Sequence, residues 1–270
     1  MLIDGSALVT GAGRGLGRAI VLELAARGLH VLAGARVPAD VEPFDPQHGR
    51  IDIVHVDVRD PSDLDVPDDL RILVNNAALR LKYLPIDDTA IDDAATIFDV
   101  NVLGVIRMVQ RVVPAMRASG DGVICNITSS AILQPMPFHG VYRASKAAVS
   151  VIGESLRIEL AQHGIRVVEI PLGPVETEMY ASSMLVRPVD AVELEGYRTL
   201  ALRFHEVLAQ SKPVVSTPAA AAEEIVDAIL ATDGPLRWPC DPAGRSAYLT
   251  SGLDVHERNL AATQQSLKLE

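Results

Sequence analysis

Cysteine, aromatic side chains and net positive charge are all scarce in this chain. Two cysteines, Cys125 and Cys240, stand in 270 residues. They are too few for a disulfide framework and lack metal-ligand spacing, so a reducing compartment is expected and no metal site. Cys125 falls in a strand-like apolar run, where packing is its expected role. Lysine and arginine number 24 against 35 acids, a net charge of -11, and the cations form no cluster. Nucleic acid and anionic membrane are therefore not expected partners, because phosphate binding needs a concentrated basic surface. No stretch approaches the roughly 20 apolar residues of a membrane span. The start "MLIDGSALVTGAG" has no charged leader before an apolar core, so a cytoplasmic protein is expected.

What the chain has is a globular balance. Hydrophobic residues at 49% and charged ones at 22% exclude wholesale disorder, and the length suffices for one large α/β domain. Short apolar runs alternate with helical ones. "SALVT" and "HVLAGA" read as buried strands around the helix "GLGRAIVLELAARG", in which Leu16, Ile20 and Leu24 recur at helical spacing and Gly28 ends the pattern. "IDIVHVDV", "RILVNNA", "GVICNITS" and "IRVVEIPLG" read as further strands, with long helices expected around Ala90 to Ala118 and Gly140 to His163. This alternation predicts a doubly wound α/β fold, a parallel sheet with helices on both faces, in a single domain over 1–270. Prolines 38, 43 and 46, and 61 and 67, break the connections 37–50 and 61–69, where short turns or irregular coil are expected. Residues 178–215 interrupt the sheet pattern with amphipathic pieces and read as a helical substrate lid near the C-terminal end.

The first strand-to-helix turn reads "TGAGRGLG", with Gly11, Gly15 and Gly17. The GxGxxG fingerprint fails because Leu16 stands where its last glycine belongs. The physics is shared nonetheless: glycines let the backbone approach a pyrophosphate, and the helix start presents free N–H groups and a positive dipole end. After the second strand, "AGAR" places Arg36 where an NAD binder would carry an acid, and Arg14 projects from the glycine turn. A cation there suits the 2′-phosphate of NADP(H) better than NAD(H). Further on, "GVYRASKAAVS" sets Tyr142 and Lys146 one helical turn apart on one face. On that fragment alone, a core-capping aromatic and a snorkelling lysine are an equally good reading.

The order of these signals resembles the short-chain dehydrogenase/reductase family, in its short single-domain branch, up to about residue 240. The glycine turn with Thr10, the "DV" of Asp57 and Val58, the "NNAA" of Asn75 to Ala78, Asn101 in "FDVNVLG", "NITS" ending in Ser129, "YRASK" and "GPVET" follow one another as in that family. The resemblance implies a Rossmann-type domain and makes Asn101, Ser129, Tyr142 and Lys146 the counterparts of its catalytic tetrad. Tyr142 is then the general acid or base, Ser129 the partner of the substrate oxygen, and Asn101 the residue that kinks its helix and anchors a water serving the lysine. Lys146 is expected to hold the nicotinamide ribose and to lower the phenol's pKa. An ammonium about 4 Å away is worth roughly 4 kcal/mol at an effective dielectric of about 20, or at most about three units.

The resemblance also implies cofactor contacts by Asp57 and Val58 at the adenine, by the backbone at Asn75 and Ala77 at the adenosine ribose, and by Gly173, Val175 and Thr177 at the nicotinamide and phosphates. Leu172-Gly173 stands where the family's Pro-Gly pair is usual, and Ala78 where glycine is usual. The function expected is an NADP(H)-dependent oxidoreductase acting on a small-molecule ketone or secondary alcohol. Leu133, Met136, Phe138, Met179, Met184 and Leu185 can line an apolar pocket for a hydrophobic or cyclic substrate, with ordinary lid packing as the competing reading. A non-catalytic NADP(H) sensor is the other class considered, together with an epimerase or dehydratase of the family's extended branch. Helices apolar on more than one face, with Val102, Val105, Ile106, Val109 and Val113 on the first, point to a homo-oligomer, a dimer or tetramer.

Overall fold

The computed structural model describes residues 5–80, 82–181, 189–211, 214–252 and 257–258. The aliphatic runs pair into one sheet: β1 (Ser6–Thr10), β2 (His30–Ala35), β3 (Ile51–His55), β4 (Leu70–Asn75), β5 (Gly122–Ile127) and β6 (Ile165–Ile170). Their spatial order is β3-β2-β1-β4-β5-β6, and every pairing is parallel. The order reverses beside β1, and a crevice for ligands opens there at the carboxyl ends of the strands.

Helices cover both faces, which is why the strands are apolar throughout rather than alternating. Ala7 and Val9 of β1 turn to one face, where Ile20 and Leu24 of α1 (Gly15–Ala26) meet Ile225 and Ile229 of a C-terminal helix, Pro218–Leu230. Leu8 turns to the other face, beneath Met108 and Val112 of one long helix and Val149 of the next. Cys125 and Cys240 are both buried and free, and Cys125 packs in the first of these clusters as expected.

The two proline-broken connections carry no α-helix. Short 3-10 turns occupy Pro38–Asp40 and Pro46–His48, and 56–69 has no regular element. Arg18 of α1 stands in for the missing helix by donating to the carbonyls of Glu42 and Pro43 while lying 4.1 Å over the Phe44 ring. The helix expected over Ala90 to Ala118 is split. It runs as α2 (Ile91–Phe98), a π-turn (Asp99–Leu103) and α3 (Gly104–Ser119). Helix α4 (Gly140–Ala161) follows β5.

Beyond β6, Trp238 donates its N–H to the carbonyl of Glu169, and Glu169 donates to Leu236, so a further extended segment lines the sheet edge. Within 178–215, α5 (Arg198–Ser211) packs through Ala201 and Phe204 onto Phe138 and Tyr83. Met184 and Leu185 lie outside the described residues. Helices α6 (Pro218–Leu230) and α7 (Pro242–Ser251) follow. Among the described residues no helix is long and apolar enough to cross a membrane, and no cluster of side chains suits a metal.

Candidate active site

The predicted residues converge on the carboxyl edge of the sheet, and the glycine turn is built for close approach. Gly15 sits at φ +55°, a conformation that glycine adopts without strain. A Cβ on Gly17 would run into the Gly11 carbonyl and the Asn76 amide. The start of α1 has no side-chain cap and no acid in its first turn, so its N–H groups and dipole face the crevice. Leu16 is buried behind it.

Thr10 has a different task from the expected cofactor contact. Its buried hydroxyl accepts from the N–H of Asn76 at 3.1 Å and of Ala77 at 3.0 Å and donates to Val74, pinning the end of β4 to the end of β1. The Asn75 amide is likewise spent inside, on Asn126 at 2.9 Å. The Ala77 N–H is therefore spent on Thr10.

At the adenosine corner, Arg36 is exposed directly after β2. Arg14 forms an exposed ion pair with Glu178 at 2.8 Å. Asp57 is gripped by Arg59, which bonds both carboxylate oxygens, and this contact, with help from Arg36, holds the carboxyl below its usual range. The pairing of Asp57 with Arg59 is not revealed by its sequence motif. Val58 is buried against Gly104. Gly173 is also turned to structure, since its N–H donates to buried Asp241 at 2.7 Å. Val175 is buried in the core, and Thr177 packs beside the glycine turn at Gly15.

Ser129 leaves β5 in extended conformation and caps the turn after it by accepting from Ala131 at 3.2 Å. Arg143 of α4 donates to the carbonyl of Ala131, which ties that turn to the helix carrying Tyr142. The Tyr142 phenol lies near Ser129. Burial pushes the phenol up, while Ser129 and then the Arg80 guanidinium pull it down. Lys146 is buried, and its Nζ donates to the Ile127 carbonyl at 2.7 Å. Burial lowers it to about 8.

The amine turns to the end of β5, and Arg80 is a further cation that favours the phenolate of Tyr142. The motif places both side chains on one face, but the Ile127 carbonyl, the acceptor at hand in an apolar setting, captures the amine.

Asn101 produces the expected kink, as the π-turn. Its side chain accepts from the Leu79 N–H at 2.7 Å and donates to the Leu79 carbonyl at 2.9 Å and Ser145 Oγ at 3.0 Å. The amide is spent in these contacts, so the water relay expected of Asn101 does not run through its side chain. It locks α3 to the turn of α4 between Tyr142 and Lys146.

Phe138 lines the small cavity beside Tyr142 and also packs into a core cluster. It is buried at φ +60°, with Tyr197 and Phe204 edge-on at 6.2 Å. Leu133 and Met136 remain half-buried beside the site, and Met179 is exposed. Two groups escaped the sequence reading. One is Arg80 with Tyr83 and His139 around the phenol. The other is Glu169, whose signal was available: a carboxylate in the middle of an apolar strand.

Residues 6–185 match the family described as short chain dehydrogenase. The chain belongs to the short-chain dehydrogenase/reductase family. L-xylulose reductase of Mesocricetus auratus is 36% identical over 180 residues, covering 64% of this chain and 72% of that protein. NADPH-dependent 3-dehydrocapnine reductase of Ornithobacterium rhinotracheale is 31% identical over 194 residues, covering 66% and 68%. The solved structure of a short chain dehydrogenase from Burkholderia cenocepacia J2315 in complex with NADP matches with a TM-score of 0.71 at 25% identity, covering 98% of this chain and 99% of its own. As a short-chain dehydrogenase/reductase the chain is an oxidoreductase of a six-stranded Rossmann-type fold, and its Ser129, Tyr142 and Lys146 stand together at the carboxyl edge of that sheet.

Proposed function

We propose that this short-chain dehydrogenase/reductase is an NADP(H)-dependent oxidoreductase that moves hydride between the nicotinamide and a ketone or secondary alcohol, with residues 1–270 acting as one domain. The observation that carries the reading is the gathering of Ser129 at the end of β5, the buried Tyr142 phenol and, one turn along α4, the buried Lys146. In reduction Tyr142 donates its proton to the carbonyl oxygen; in oxidation it withdraws the proton from the alcohol. Ser129 shares the substrate oxygen and the charge that develops on it. Lys146, already buried at the crevice floor, holds the ribose hydroxyls.

The residues fit the cofactor. The uncapped start of α1 and the glycine turn suit a pyrophosphate. Arg36, exposed at the end of β2, suits a 2′-phosphate. Arg14 joins it, because its exposed pair with Glu178 is worth at most about 1 kcal/mol and yields to a doubly charged group. The bound nicotinamide supplies the hydride. The NADP in the Burkholderia cenocepacia structure and the NADPH in the name of the Ornithobacterium rhinotracheale enzyme support the same choice. Leu133, Met136 and Met179 favour an apolar or cyclic substrate.

The test combines NADPH consumption over a panel of ketones with calorimetry of NADP and NAD in parallel. Y142F should lower turnover by about 10²–10⁴-fold and leave NADPH affinity in place. Tight NADPH binding with silence across the panel would instead support the sensor reading, and a preference for NAD would remove the assignment of Arg14 and Arg36.

A further inference from the structure

The connection from β2 to β3 begins with Arg36 and lies against the glycine turn, yet it has no α-helix to give it shape. Its backbone hydrogen bonds from Asp40 to Val37, Val41 to Pro38 and His48 to Asp45 close local turns, and turns of this kind do not hold a chain in place by themselves. Side chains supply the hold. Val41 is buried, and a Cβ added to Gly13 would lie 3.2 Å from one of its methyl carbons, so the connection touches the glycine turn itself. Phe44 packs against the core cluster that contains Ile20 and Leu24. Between these two, Arg18 reaches out half-buried from the first turn of α1. Its Nη1 donates to the Glu42 carbonyl at 2.6 Å and its Nη2 to the Pro43 carbonyl at 3.0 Å, while its guanidinium carbon lies 4.1 Å from the Phe44 ring centroid. A planar fork of donors is suited to two neighbouring carbonyls and a ring face at once, which a single ammonium is not.

We propose that Arg18 is a positioning residue for the adenosine end of the dinucleotide: it docks the β2–β3 connection onto α1 and thereby shapes the corner beside the glycine turn and Arg36. This rests on the reading of that corner as the cofactor site. The guanidinium is occupied by two carbonyls and a ring, so it acts on the ligand through the connection and not by touching a phosphate. The ends of the connection are anchored independently, at Ala35 in β2 and at Arg50, whose carbonyl accepts from Val31 at 2.9 Å. Without Arg18 the middle is freed while the sheet stays paired. A ligand that takes only the docked form then loses affinity in proportion to the docked fraction, so a docked population of about a tenth weakens binding about tenfold. Ser129, Tyr142 and Lys146 stand on β5 and α4, outside this connection, and keep their places.

The test pairs calorimetry with hydrogen exchange in the parent and in R18M, which keeps a long stem and a good helix former and removes the donors. The Kd for NADPH should rise about tenfold in R18M, and R18K should return only part of the loss. The KM for NADPH should rise with it while kcat at saturating NADPH is unchanged. In the free R18M protein, amides of 37–49 should exchange faster than in the parent, saturating NADPH should restore their protection, and β5 and α4 should exchange as in the parent. An NADPH Kd equal to that of the parent overturns the proposal even where exchange is faster, since Arg18 then serves the fold alone. A weaker Kd with unchanged exchange over 37–49 overturns it as well, because the loss then arises elsewhere. Should R18M fail to fold by circular dichroism, R18Q is the second probe, and an unmoved Kd there overturns the proposal equally. A parent that prefers NADH rejects the 2′-phosphate reading, and a tenfold loss of NADH affinity in R18M would still uphold Arg18. A parent that binds neither nucleotide rejects the reading of the site and the proposal together.

Discussion

An ammonium buried beneath the site makes stability depend on pH in a direction set by one residue. Lys146 titrates at about 8 in the folded chain against 10.5 ordinarily, because burial disfavours its charge. Between those values the unfolded chain holds the proton more tightly, so stability rises with pH across the window and is lowest below it. The full excursion corresponds to about 3 kcal/mol. Urea unfolding of K146M should lack this rise, and parent and variant should draw apart by about 2–3 kcal/mol between neutral pH and about pH 10. Parallel stability curves would show that the amine keeps its ordinary value. Helical periodicity made the shared face of Tyr142 and Lys146 legible in the sequence, and asparagine's poor fit inside a helix made the kink at Asn101 legible. Neither signal says which acceptor a side chain takes, so the turn of Lys146 to Ile127 was not legible. Nor was Arg80, whose partner Met179 stands 99 positions away.

At the scale of elements, the site depends on how β5, β6 and α4 are held together. Glu169 does this from the middle of β6. Fully buried, it accepts from Thr128 Oγ1 at 2.9 Å and from Ser150 Oγ at 2.8 Å, and it pairs with Arg237 at 3.1 Å. Thr128 precedes Ser129, and Ser150 lies one turn past Lys146, so a single carboxylate registers the strand leading to Ser129 against the helix of Tyr142 and Lys146. E169A leaves Arg237 buried without this partner and the Ser150 hydroxyl without this acceptor, while Thr128 keeps the Ile170 carbonyl. It should cost about 3–5 kcal/mol in urea unfolding, and turnover should fall in the fraction that stays folded. A loss under about 1 kcal/mol would show that Glu154 and Glu257, which also pair with Arg237, suffice on their own.

The six strands were legible because both-face burial makes them continuous aliphatic runs, and the two thin connections were legible from their prolines. The segment that lines β6 through Leu236 and Trp238 was hidden for the opposite reason. Pro235 and Pro239 bracket it, and its pairing is decided by a sheet edge distant in sequence.

For the whole molecule, the apolar faces of α3 and α4 divide unequally between sheet and surface. Val105, Val109, Val113 and Met116 of α3, with Val149 of α4, are buried against the strands. On the outward side Val151 is 61% exposed and Leu103 45% exposed. The expectation of helices apolar all round therefore reduces to a narrow outward stripe, with Ala144 and Ala147 beside Val151 on α4. Association through this stripe has to overcome repulsion between subunits that each carry a net charge of -11, and screening weakens that repulsion as salt rises. Size exclusion should therefore show a dimer or tetramer that grows more stable with salt. V151E, which puts a carboxylate in the middle of the stripe on each subunit, should release monomer while leaving the fold unchanged by circular dichroism. A parent that elutes as monomer at every salt and concentration would reject the oligomer, and one whose assembly ignores V151E would place the contact on another face.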